Sequence, residues 1–285
     1  MSLRGSVSGR PFPVVVALAL TALGIGAMLA GSGALASQPG LSLRAQIVLG
    51  TLLLGFPALA ALTFSPGTWP AVRGPGPVTA RITLLSVLLG AALWVGSIGL
   101  LEVQSLVAPP PAAYLDAFRA IHRALAPAGP VDALASILVI AVLPGVCEEL
   151  LVRGVLLPSL ASGGGAARGA ALPPGPVVFS SLLFAAMHFD PYRFLFTLAI
   201  GLVLGVVRLG TGSLWPPVVA HVGLNTLTFA VAPFVDDPSQ PYAPSPALGL
   251  VCLLAGAAVA WPLLRALTAF SRFSRPHVDS PRAAS

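Results

Sequence analysis

Residues 138–158 read LVIAVLPGVCEELLVRGVLLP, placing Glu148, Glu149 and Arg153 inside a run otherwise apolar enough for a bilayer. A charged side chain at the centre of a membrane helix costs about 2.5–3.5 kcal/mol on insertion scales, so three of them require partners or a task. The chain has only three glutamates, and two of them stand here. Two of its four histidines, His188 and His221, also fall inside apolar runs, the second with Asn225 four residues on. Together these residue types make a hydrolytic set. A carboxylate held in a low-dielectric site without a charge partner suits a general base working near neutral pH. An imidazole beside it can hold a water between them. A second imidazole and an Asn amide offer neutral donors for the oxyanion of a tetrahedral intermediate. The chemistry is attack of activated water on an amide, with no acyl-enzyme.

Helical spacing sorts the roles. Glu149 and Arg153 are four apart, share a face and can pair, cancelling each other's charge. Glu148 points about 100° away and has no local partner. His221 and Asn225 project towards one place, and Phe184 stands four before His188, where its ring can pack beside the imidazole. At 1.5 Å per residue, Glu148 lies about 14 Å, His188 about 16 Å and His221 about 12 Å from the assumed cytoplasmic ends of their runs. Similar depth on three runs predicts one buried site. Cys147 adjoins Glu148 but lacks the nearby base and electropositive surroundings that a thiol nucleophile needs.

The elements that must position these groups are membrane helices. Hydrophobic residues make up 56% of the 285 positions and charged residues 8%, against about 25% charged in soluble domains. The fold class expected is all-α, a polytopic transmembrane bundle of about eight helices. Apolar runs fall at about 12–35, 43–64, 80–101, 133–157, 177–189, 194–209, 213–235 and 247–270. A full span needs about 20 residues, so the short fifth and sixth runs, separated by HFDPYR, are candidates for partial spans buried among neighbours. Residues 112–125 place Tyr114, Phe118, Ile121 and Leu125 on one helical face, the pattern of an amphipathic helix at the membrane interface between the third and fourth spans. The organisation expected is 1–130 for the first helices and this interfacial segment, 131–235 for the catalytic core, and 236–285 for the last helix and a basic, disordered tail.

All 15 basic residues are arginines, scattered singly between apolar segments. That pattern argues for topology rather than nucleic-acid binding. Ten near the run ends fall inside and four outside when the N-terminus is cytoplasmic, so both termini are expected in the cytoplasm and the protein in the cell (inner) membrane. The first run precedes ALAS, which looks like a signal-peptide cleavage site, but its apolar core is longer than a signal sequence requires and it is expected to be retained.

Three motifs now stand in order on separate runs: Glu148-Glu149-Leu-Leu-Val-Arg153, Phe184-Ala-Ala-Met-His188 and His221-Val-Gly-Leu-Asn225. They resemble the patterns EExxxR, FxxxH and HxxxN of the CPBP family (CAAX proteases and bacteriocin-processing enzymes), intramembrane proteases that include the type II CAAX prenyl endopeptidase. The resemblance runs from about residue 133 to 230. It implies a glutamate-type endopeptidase in which Glu148 and His188 activate water and His221 with Asn225 stabilises the oxyanion, with Glu149, Arg153 and Phe184 as structural support. The substrate class implied is a membrane-associated protein or peptide, lipidated ones included, and no cofactor is required. One alternative keeps the residues and adds zinc, with Glu148, His188 and His221 as ligands around an open position. The H-E-x-x-H helix signature is absent. A further alternative is a non-enzymatic scaffold or proton-coupled carrier, since buried Glu and His also build proton relays.

Overall fold

The computed structural model describes residues 9–163, 174–235 and 244–273, and every regular element among them is a helix. Each of the eight apolar runs is a helix within a few residues of its expected bounds. These are α1 (Val14–Ala36), α2 (Leu43–Phe64), α4 (Ala80–Val107), α6 (Pro130–Ser162), α7 (Pro174–Ala186), α8 (Phe194–Thr211), α9 (Trp215–Val235) and α10 (Pro246–Phe273). A short α3 (Trp69–Arg73) fills the α2–α4 connection, and α5 (Ala112–Leu125) is the expected amphipathic helix. Among the described residues six helices are long and apolar enough to cross a membrane, making this a multi-pass membrane protein, while the 13-residue α7 is too short to span alone. Residues 164–173 and the tail beyond Phe273 lie outside the described residues.

Side-chain oxygens cap two of the spans at their starts: Ser42 accepts from the Ala45 amide and Thr79 from the Ile82 amide. Between spans, small residues allow close approach, as membrane packing requires. A Cβ at Gly90 of α4 would sit 2.4 Å from the Ala220 carbonyl oxygen, and one at Gly145 of α6 would sit 2.8 Å from Val222 Cγ2. Those two glycines bring α9 against both α4 and α6, next to the turn that carries Glu148. Helix α1 is likewise seated in the bundle, with Leu18, Ile25 and Met28 packed on the cluster that contains Leu54, Leu151 and Val155.

The interior has two apolar clusters. One joins Leu54 and Ala58 of α2 to Leu151, Val155 and Leu156 of α6 and Phe184 of α7. The other joins Ile82 and Leu89 of α4 to Ile200 and Leu204 of α8, Ala220 and Leu224 of α9 and Leu267 of α10. Polar side chains cross the seam between them.

Helix α6 is irregular where it carries those side chains. Its turns widen to π geometry over Leu138–Val142 and again over Leu150–Leu156. Pro144 explains the first, because it lacks an N–H and its ring crowds the preceding turn. In the second, the Arg153 carbonyl accepts from Arg208 Nε at 3.0 Å, so an outside donor competes for the ladder. Wide turns of this kind are frequently found at functional sites.

Two arginines read from sequence as topological flanks have structural partners. Arg208 is buried and also donates to the Ala71 and Val72 carbonyls, tying α8 to α3 and α6. Arg44 pairs with Asp132 and donates to the Leu125 carbonyl, fastening α2 to the start of α6 and the end of α5. One comes from each side of the flank tally.

Candidate active site

Glu149 and Arg153 pair as their spacing predicts, at 2.7 Å between Oε1 and the guanidinium, and both side chains are fully buried. Burial of a pair is favourable only when the remaining groups are satisfied. Glu149 Oε2 and Arg153 Nε have no hydrogen-bond partner among the described residues, but Glu149 Oε1 and the Arg153 guanidinium have more partners than the spacing could disclose. Arg153 donates to the Gly201 carbonyl of α8 at 3.2 Å and lies over the Phe184 ring, 4.1 Å from its centroid. Glu149 Oε1 also stands 2.9 Å from Nδ1 of His221 on α9. One carboxylate thus joins α6 to α9, while its arginine reaches α7 and α8.

Glu148, one residue earlier, faces a different set. Its Oε2 lies 3.8 Å from Nε2 of His188 and 3.9 Å from Nε2 of His221. Both separations are too long for direct hydrogen bonds. Oε2 is buried and has no hydrogen-bond partner among the described residues. The three residues therefore meet at one point, as their matching depths predict. Asn225 follows His221 by one turn of α9 and is half-buried.

The second nitrogens of the two rings determine what can sit at that point. His188 Nδ1 lies 2.7 Å from the Phe184 carbonyl, which only accepts, so Nδ1 carries the proton and a neutral ring presents a lone pair at Nε2. His221 Nδ1 faces a carboxylate paired to arginine, which leads to the same tautomer. A carboxylate oxygen and two imidazole lone pairs then converge with no donor among them. Such a cluster calls for a proton-bearing guest between its members.

Phe184 does more than pack beside one imidazole. Its ring meets His188 edge-on with centroids 5.1 Å apart and His221 at 5.7 Å, besides lying under Arg153. Edge-to-face contacts of this sort orient rings as well as bury area. Cys147 is buried toward α2, where a Cβ on Gly55 would be 2.9 Å from its sulfur, which makes it a packing residue.

His188 departs from expectation in its backbone. Sequence placed it on the helix with Phe184, but α7 ends at Ala186 and His188 lies in the turn that follows. Phe189 adopts φ +51°, and Pro191 biases the residue before it away from helix. The imidazole still reaches back one turn, through its bond to the Phe184 carbonyl.

The fold and this cluster define a class: a helical multi-pass membrane protein with carboxylates and imidazoles gathered at a buried point. Residues 130–227 match the family model of type II CAAX prenyl endopeptidase Rce1-like proteins, the family to which the three motifs pointed. The match spans all three motifs and supports protease activity acting on membrane protein substrates. No curated protein and no solved structure matches the chain.

Proposed function

We propose that the protein is an intramembrane endopeptidase of the glutamate type. The observation that carries the reading is Glu148 Oε2, buried and unpartnered, with an imidazole Nε2 at 3.8 Å and another at 3.9 Å. A water there has two hydrogens for three acceptors. Glu148 takes one proton as the water oxygen adds to the scissile carbonyl, with His188 holding the water from the other side. The oxyanion accepts from Asn225 and from His221, which takes a proton from solvent at Nε2 as substrate binds and returns it after collapse, with Glu149 facing the cation meanwhile. Collapse breaks the C–N bond, and the proton on Glu148 goes to the leaving amine. Glu149, Arg153 and Phe184 hold the frame.

The zinc alternative uses Glu148, His188 and His221. Ligand atoms around tetrahedral zinc at about 2.0–2.1 Å lie roughly 3.3 Å apart, so both measured gaps would have to close by about half an ångström. The same site accounts for the chemistry without metal. The candidate substrates are prenylated C-terminal peptides, leader peptides and membrane-anchored proteins. The arginine distribution supports a cell-membrane location with both termini cytoplasmic, a topology that accessibility of single cysteines introduced in the terminal segments would test.

The test of function needs no prior substrate. Protein termini are compared across membrane and secreted fractions of cells carrying the wild-type chain or Glu148→Gln at equal abundance. Termini that vanish with Glu148→Gln and with His188→Ala establish proteolysis and name the substrate. Identical termini, with the variants folded and present, move the assignment to a scaffold or carrier.

A further inference from the structure

The three groups that meet at the site are not held in the same way. Glu148 and His221 sit within helices, whose backbone fixes the direction of each side chain. His188 sits beyond the end of α7, and its neighbour Phe189 is the one non-glycine residue with positive φ among the described residues. A bulky residue stays in the left-handed region only where its surroundings over-determine it. Phe189 is 63% exposed, so its own packing does not hold the turn.

The turn has backbone bonds of its own, from the Phe189 amide to the Ala186 carbonyl at 3.1 Å and from the Arg193 amide to the Asp190 carbonyl at 3.2 Å, and further contacts tie it to its neighbours. Asp190 Oδ1 accepts from the Tyr192 amide at 3.0 Å, and the Pro191 carbonyl accepts from Gln104 Nε2 of α4 at 3.1 Å. Asp190 Oδ2 accepts from the Tyr114 hydroxyl of α5 at 2.7 Å, and the Tyr114 ring lies 4.8 Å from that of Tyr192. Burial, followed by the bond to Asp190, pushes the Tyr114 hydroxyl above its ordinary range, so it remains a donor throughout physiological pH.

We propose that Tyr114 is a positioning residue for His188: through Asp190 it holds the left-handed turn at Phe189 that directs the imidazole toward Glu148. The proposal rests on the reading of His188 as the group that holds the water. It makes α5, whose Phe118 and Ile121 face outward, part of the machinery rather than a passive float at the interface.

The full-length chain in proteoliposomes is assayed on the peptide whose terminus depends on Glu148. Tyr114→Phe removes only the hydroxyl. The expected result is a fall in kcat of about tenfold, within the ~100-fold that a misplacement of about 1 Å can cost, with KM unchanged. Phe189→Gly relieves the strain, so in that background the loss from Tyr114→Phe should shrink to about twofold. Wild-type kcat in Tyr114→Phe, a change confined to KM, or an equal loss in both backgrounds would overturn the proposal. Absence of any Glu148-dependent terminus defeats the reading of the site, and the proposal with it. Hydrogen exchange over 187–193 reads the tether separately: it quickens in Tyr114→Phe, and unchanged exchange shows that the tether holds nothing.

Discussion

Glu148 and Glu149 are consecutive, equally charged and on the same turn of α6, but the protein treats them in opposite ways. Around Glu149 the contacts gather on one oxygen, Oε1: Arg153 reaches it from its own helix and His221 from α9, while Arg153 in turn meets the Gly201 carbonyl of α8 and the ring of Phe184. Around Glu148 the partners stop 3.8 and 3.9 Å short. The first arrangement is how a buried charge is made tolerable. The second leaves room for a reactant. Each carboxylate keeps a buried oxygen without a hydrogen bond, so the difference teaches that two imidazole nitrogens converging on such an oxygen, more than charge or a vacancy alone, separate the proposed chemical group from its scaffold.

The comparison can be broken from either side. The largest effect is expected at Glu148→Gln, which keeps shape and removes the base: turnover falls by about 10³-fold, in the range of general-base loss, with thermal stability in detergent unchanged. A Glu148→Gln protein that cleaves normally would put the chemistry elsewhere. On the other side, Arg153→Met strands a fully buried Glu149 and should cost about 3–5 kcal/mol of stability, read as a large drop in melting temperature or loss of folded protein. A stable Arg153→Met protein would show that the pair is no scaffold. Asn225→Ala sharpens the division further. Loss of one oxyanion donor should lower kcat by about 10²-fold with KM and stability unmoved, and a change in KM alone would make Asn225 a substrate-binding group instead. Smallest of all is the expected effect of metal removal. Activity after dialysis against a chelator should match that of untreated protein, whereas loss restored by zinc would turn Glu148, His188 and His221 into ligands.

Much of this was legible before any coordinates. The eight apolar runs carry their helices because a bilayer-length hydrophobic stretch has few other stable states. The Glu149–Arg153 pair follows from i, i+4 geometry, and the amphipathic face of residues 112–125 follows from a period of 3.6. His221 as the partner of Glu149 was not legible, because the two are 72 positions apart and nothing local links them. Arg208 carried no signal either. An arginine near the end of an apolar run reads as a flank, and only packing reveals that it bonds three carbonyls. The end of α7 before His188 had a weak signal in Asp190-Pro191 that the FxxxH spacing masked.

By itself, the sequence determined which segments are helices, which residues are too polar for their surroundings, and at roughly what depth each lies, because helix geometry and the cost of charge in hydrocarbon act locally. Tertiary structure decided which of those residues touch. The close approaches at Gly90 and Gly145 bring α9 against α4 and α6, and a turn held by a tyrosine from α5 directs His188. Contacts of this kind depend on how helices cross, and helix crossing is a property of several surfaces at once.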